Sequence, residues 1–122
     1  NLLHMLKAMP PYRVALIESD ADIVIRGFYG VGVNYGANDC KGSLDVLNPG
    51  MSASSFQSAL REYRKLVEGA PTYSTFFIEG TSQHMWVLDS SLYGFGARAD
   101  GVRMIDWLRD VLAGKGSHHG LK

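Results

Sequence analysis

Two short apolar runs, Tyr12 to Ser19 and Tyr73 to Ile78, limit what this chain can fold into more than any other feature. The first is interrupted by a single Arg, and both stop at polar residues and turn formers. Runs of this kind suit strands buried on both faces of a parallel sheet. Between them Phe56, Leu60, Tyr63, Leu66 and Val67 recur at helical spacing, with Ser52, Ser54 or Ser55 available as a cap and Gly69 as a stop. The order strand, helix, strand requires a right-handed crossover, which makes the two strands parallel in one sheet. Their carboxyl ends then share one edge.

A chain of 122 residues with 46% hydrophobic and 20% charged residues is of ordinary globular composition and about one small domain long. Twelve basic residues balance twelve acidic ones, so no net field favours nucleic acid or an anionic membrane. No apolar run reaches the length of a membrane span. Cys40 is alone, which excludes a disulfide framework or an all-Cys metal site within the chain. The Gly-rich stretches Gly27 to Gly50 and Gly94 to Gly101 read as long loops.

Further elements follow from local signals. Ser19 or Asp20 is expected to cap a short helix reaching about Tyr29, and Asp100 to cap a final helix running to about Ala113. His118 and His119 read as a flexible tail, with no metal site assigned to them. Two parallel strands with flanking helices cannot cover both faces or satisfy both edges, so the sheet is expected to be completed by residues outside this chain.

Ligands of open parallel sheets sit beyond the carboxyl ends of the strands. Asp22 falls just past the first strand and His84 just past the second. On neighbouring strands a carboxylate and an imidazole so placed can meet, which fixes the histidine tautomer and leaves the second ring nitrogen to accept a proton. Asp20 and Asp22 are equally suited to capping a helix, and spacing does not separate the two roles. Trp86, Tyr93 and Phe95 are candidates for an acyl or sugar pocket, with packing against the sheet as the alternative. Gly50-Met51-Ser52-Ala53-Ser54 is the nearest approach to a nucleophile elbow, but it lacks the second Gly and a preceding strand, so Ser52 reads as a helix cap.

The segments Ala15 to Tyr29, Phe76 to His84 and Gly101 to Leu108 together resemble the C-terminal part of the pectin acetylesterase family, which includes the Notum-type carboxylesterases. The resemblance implies the C-terminal portion of an α/β-hydrolase-like sheet of about two strands, with residues 1–122 forming one segment of a single domain. It implies a Ser-His-Asp triad in which Asp22 best matches the acid, Asp20 is the runner-up and His84 matches the base. It also implies an extracellular or periplasmic location and no cofactor. The expected function is to supply acid and base to a serine carboxylic-ester hydrolase, with Ser and oxyanion hole coming from a companion chain or an N-terminal half. The alternative is a non-catalytic binding or assembly subunit on a hydrolase-derived scaffold.

Overall fold

The computed structural model describes residues 12–34, 50–84 and 96–122, together with His4 and Ala8. The protein is mixed α/β. Strand β1 (Val14–Ser19) and strand β2 (Tyr73–Ile78) pair in parallel and in step, from Val14 opposite Tyr73 to Ser19 opposite Ile78. Every residue of β2 is buried, the polar Ser74 and Thr75 included, as befits a strand covered on both faces. β1 is only partly covered, with Ala15 exposed and Ser19 buried.

Successive side chains of β2 point to opposite faces and so build two cores. On one face Phe77 meets Phe56 and Leu60 of helix α2 (Ala53–Val67) together with Leu121. On the other, Phe76 and Ile78 pack with Met104, Trp107 and Val111 of helix α3 (Met104–Leu112). Trp107 is fully buried, its ring 5.1 Å from that of Phe76, and its Nε1 donates to the Ser117 carbonyl at 2.9 Å. The indole thus joins the core without leaving its N–H unpaired. The stripe on α2 is narrower than the sequence suggests, since Leu66 points outward and Ser52 caps the helix by accepting from the Ser55 N–H at 3.1 Å.

Four expectations are corrected. The parallel sheet has three strands among the described residues, in the order β1, β2, β5, because His118–His119 forms strand β5 beside Thr75 and Phe76. The pair is not a loose tail: Arg64 donates to the carbonyls of Gly120 and His118, Thr75 Oγ1 lies 3.0 Å from His118 Nδ1, and the Leu121 N–H donates to Glu79 at 2.8 Å.

Asp100 does not cap a helix. It and Gly101 form the two-residue turn of a small hairpin, β3 (Arg98–Ala99) with β4 (Val102–Arg103), and both have positive φ, +51° and +80°. Asp-Gly is favoured in such a turn because both central residues must adopt left-handed geometry. Helix α3 therefore starts later, at Met104.

Helix α1 spans Ile23–Asn34, starting after Asp22 and continuing past Tyr29 through Gly30 and Gly32. Its last turns occupy residues that composition assigns to a loop. Cys40 lies outside the described residues.

Candidate functional site

The two strands stop together, but the chain segments that follow them stay in contact. The Asp20 N–H donates to the Ile78 carbonyl at 2.9 Å, the Ala21 N–H to Thr81 at 3.2 Å and the Ile23 N–H to Ser82 at 3.3 Å. Ser19 adds its hydroxyl, which donates to the Gln83 carbonyl. These bonds continue the strand pairing past the sheet edge and carry the residue after Gln83 alongside the residue before Ile23.

Those two residues are His84 and Asp22. His84 Nδ1 lies 2.8 Å from Asp22 Oδ2. The other oxygen, Oδ1, accepts from the Val24 and Ile25 N–H groups at 2.9 and 2.8 Å, which caps the first turn of α1. Asp22 is fully buried, whereas the His84 side chain is 37% exposed. The carboxylate sits at the positive end of the helix dipole and has hydrogen-bond partners on both oxygens, which offsets the burial of its charge. With Nδ1 donating to Asp22, Nε2 is the nitrogen able to take up a proton.

The structure therefore joins the two roles that the sequence leaves divided between Asp20 and Asp22, since Asp22 both caps the helix and holds the histidine. Asp20 is bound elsewhere, its Oδ2 accepting from Gln57 Nε2 at 2.9 Å and its Oδ1 from the Thr81 N–H at 3.3 Å. Its part is to tie the loop after β1 to α2 and to the loop after β2.

Glu18 is a further member of the site that sequence reasoning misses. Its Oε1 accepts from the Ser19 N–H at 3.0 Å, and the carboxyl of Asp22 is near enough to act on that of Glu18. Burial pushes the Glu18 carboxyl up to about 8, and the neighbouring Asp22 carboxyl pushes in the same direction, against the lowering effect of the Ser19 N–H. The available signal is an acidic residue still inside a buried apolar strand, where a charge is disfavoured.

Ser52 makes its hydrogen bonds to Ser54 and Ser55 in its own helix turn. Trp86, Tyr93 and Phe95 lie outside the described residues. Among the described residues, no group of three or more His, Cys, Asp or Glu side chains is placed to hold a metal. No helix among them is long and apolar enough to cross a membrane.

No family model matches the chain, and neither a curated protein nor a solved structure does. The class of the site accordingly rests on its geometry: a buried carboxylate that orients a partly exposed imidazole at the carboxyl edge of a parallel sheet.

Proposed function

We propose that this chain supplies the acid and base of a serine carboxylic-ester hydrolase of the pectin acetylesterase type, in which Asp22 orients His84. The observation that carries this reading is the 2.8 Å contact between Asp22 Oδ2 and His84 Nδ1, made by a fully buried acid and a partly exposed base. In such a site Nε2 of His84 takes the proton of a serine as its oxygen attacks the ester carbonyl. The imidazolium then protonates the departing alcohol, and the neutral ring activates water to release the acyl group. Asp22 stabilises the imidazolium through both steps without taking its proton. The serine and the oxyanion hole come from a companion chain or an N-terminal half.

Two features support a completed assembly. β1 has one strand neighbour among the described residues, on the side of β2. An open cleft lined by Ala15, Ile105, Leu108 and Leu112 lies against it, and Leu112 is 84% exposed. A strand edge with no neighbour among the described residues, beside exposed apolar surface, suits pairing with another segment of polypeptide.

The test is hydrolysis of short acyl esters by this chain together with the polypeptide that completes it. A serine-directed phosphonate should label that polypeptide, and His84→Ala should lower both labelling and turnover by roughly 10³- to 10⁴-fold. Turnover by the 122-residue chain alone, surviving Ser52→Ala, would overturn the assignment.

A further inference from the structure

A serine, a histidine and a carboxylate also come together in the C-terminal strand. Ser117 Oγ lies 2.9 Å from His119 Nε2, and His119 Nδ1 lies 3.8 Å from Asp100 Oδ2. The second distance is too long for a hydrogen bond but within ion-pair range, so Asp100 acts on the ring through its charge. A negative charge on that side draws the ring proton to Nδ1 and turns the lone pair of Nε2 toward Ser117. The serine hydroxyl is then the donor of the 2.9 Å bond, and a base stands ready to take the proton of a nucleophile.

Each member is held in place by its own backbone contacts. The Ser117 carbonyl accepts from Trp107 Nε1 at 2.9 Å, and the preceding Gly116 approaches β2 so closely that an added Cβ would collide with the Ser74 hydroxyl. His119 is fixed by the pairing of β5 with β2, its ring 6.1 Å from that of Phe76. Asp100 sits in the hairpin turn, where Oδ2 accepts from the Gly120 N–H at 2.8 Å and Oδ1 lies 3.4 Å from Lys122 Nζ. The contacts that hold the C-terminal strand therefore also hold this trio.

The charged groups acting on the His119 ring are Asp100 from the hairpin, Arg64 from α2 and Lys122 from beyond β5. Burial, aided by the two cations and opposed by Asp100, holds His119 below the ordinary 6.5, while the Gly120 N–H first of all holds Asp100 below 3.8. At neutral pH the base is thus unprotonated and the acid ionised. Ser117 and His119 are each only partly buried, which leaves them within reach of a small electrophile.

We propose that Ser117 is a second activated serine of this protein, with His119 as its base and Asp100 as a positioning residue, and that it takes up acyl or phosphonyl groups from reactive donors. Oγ bonds to the acyl carbon or the phosphorus as its proton passes to Nε2, and the bond to the leaving group breaks with its electron pair going to that group. The imidazolium then gives up the proton to the leaving group or to water. Asp100 stands 3.8 Å from its histidine where Asp22 stands 2.8 Å from His84, so it stabilises an imidazolium less. The trio therefore suits a single capture from an activated donor and not repeated hydrolysis of ordinary esters. It does not rest on the hydrolytic reading of Asp22 and His84.

The experiment is labelling of the intact chain by a fluorophosphonate, which exchanges its P–F bond for an Oγ–P bond and releases fluoride, with the modified residue located by peptide mass spectrometry. Ser52 is the internal control, an exposed serine whose hydroxyl is bonded within its own helix turn. Although Ser117 is the less exposed of the two, it should be labelled roughly 100-fold faster. Equal rates overturn the proposal, and that comparison needs no variant. His119→Gln should bring Ser117 down to the rate of Ser52, whereas a retained rate overturns the assignment of the base.

Asp100→Asn keeps an acceptor for the Gly120 N–H, and Asn suits the left-handed turn position. Because Asp100 raises the proton affinity of His119, the pH at which labelling falls off in acid should move lower in this variant. A merely structural Asp100 would alter the rate and leave that midpoint in place, which would overturn its part in the proposal. In the completed assembly, phosphonate on Ser117 and phosphonate on the companion's serine are read from separate peptides. Label on the companion alone sinks the second site and leaves the hydrolytic reading standing, and label on Ser117 alone does the reverse.

Discussion

Asp22 holds His84 through Oδ2 while Oδ1 of the same carboxylate holds the first turn of α1. Orientation of the imidazole and initiation of the helix are therefore one structural event. A carboxylate is suited to it because the acceptor capacity of its two oxygens divides between a ring nitrogen and two backbone amides.

Substitutions at Asp22 should separate the two jobs. Asp22→Ala removes the acceptor for the Val24 and Ile25 amides and should lower stability by about 1–2 kcal/mol through the lost cap. Asp22→Asn retains a carbonyl oxygen that caps nearly as well, so urea unfolding should show a much smaller loss. Turnover of the completed enzyme should nevertheless fall by roughly 10⁴-fold in both, because an amide neither carries the charge nor enforces the tautomer. Equal destabilisation by Ala and Asn would show that Oδ1 contributes nothing as a cap.

Gly120 marks where the C-terminal strand is locked in place. Its φ is +75°, and an added Cβ would lie 2.1 Å from the Phe77 carbonyl oxygen. Gly120→Ala therefore combines left-handed strain with a backbone clash and should reduce stability by more than about 2 kcal/mol. Gly101→Ala has the same kind of φ, +80°, but meets open space, so its loss should be limited to the conformational part, about 1–2 kcal/mol. Thermal unfolding of the two variants checks the difference.

The same strand should respond to mild acid. Burial holds both His118 and His119 below the ordinary 6.5; Arg64 adds to this at both, while Glu68 opposes it at His118 and Asp100 at His119. Below 6.5 the unfolded chain therefore binds more protons than the folded one. Stability from these groups is intact above 6.5 and declines as pH falls through their folded values. Asp100 is shifted below 3.8, first by the Gly120 N–H and then by Lys122 and His119, so its contribution persists until the pH drops beneath that value. Amide exchange corrected for intrinsic rates should show residues 118–121 losing protection between pH 7 and pH 5, while β2 keeps its own. Uniform protection across both strands would contradict this order of events.

The parts of the fold that were legible in the sequence are those specified by local chemistry. Tyr73 to Ile78 reads as a strand because its apolar end Phe76-Phe77-Ile78 runs without helical spacing up to Gly80, and β2 occupies those residues. The spacing of Phe56, Leu60 and Val67 gives the inward stripe of α2, and Ser52 gives its start. The approach of Asp22 to His84 was accessible because parallel neighbours place their following loops on one edge.

What escaped depends on contacts distant in sequence. Nothing in His118-His119 distinguishes a strand from a tail until Arg64, Thr75 and Glu79 are brought beside that segment. Asp100 satisfies the rule for a helix cap, but the following Gly makes an equally good hairpin turn, and cross-strand pairing of Ala99 with Val102 decides between them. Glu18 comes near Asp22 because the chain turns back at Asp20 and Ala21, a geometry that composition does not encode.

The unstaggered pairing of β1 with β2 has an engineering consequence. Since Ser19 stands opposite Ile78, the offset between the two strand ends is zero, and three residues lead from one to Asp22 while six lead from the other to His84. Reach is set by these loop lengths together with the hydrogen bonds that tie the two loops to each other. A parallel pair in an unrelated sheet, given the same zero offset and the same two loops, should inherit the acid and base as a portable cassette, whereas a one-residue slip in either strand would leave the histidine without its partner.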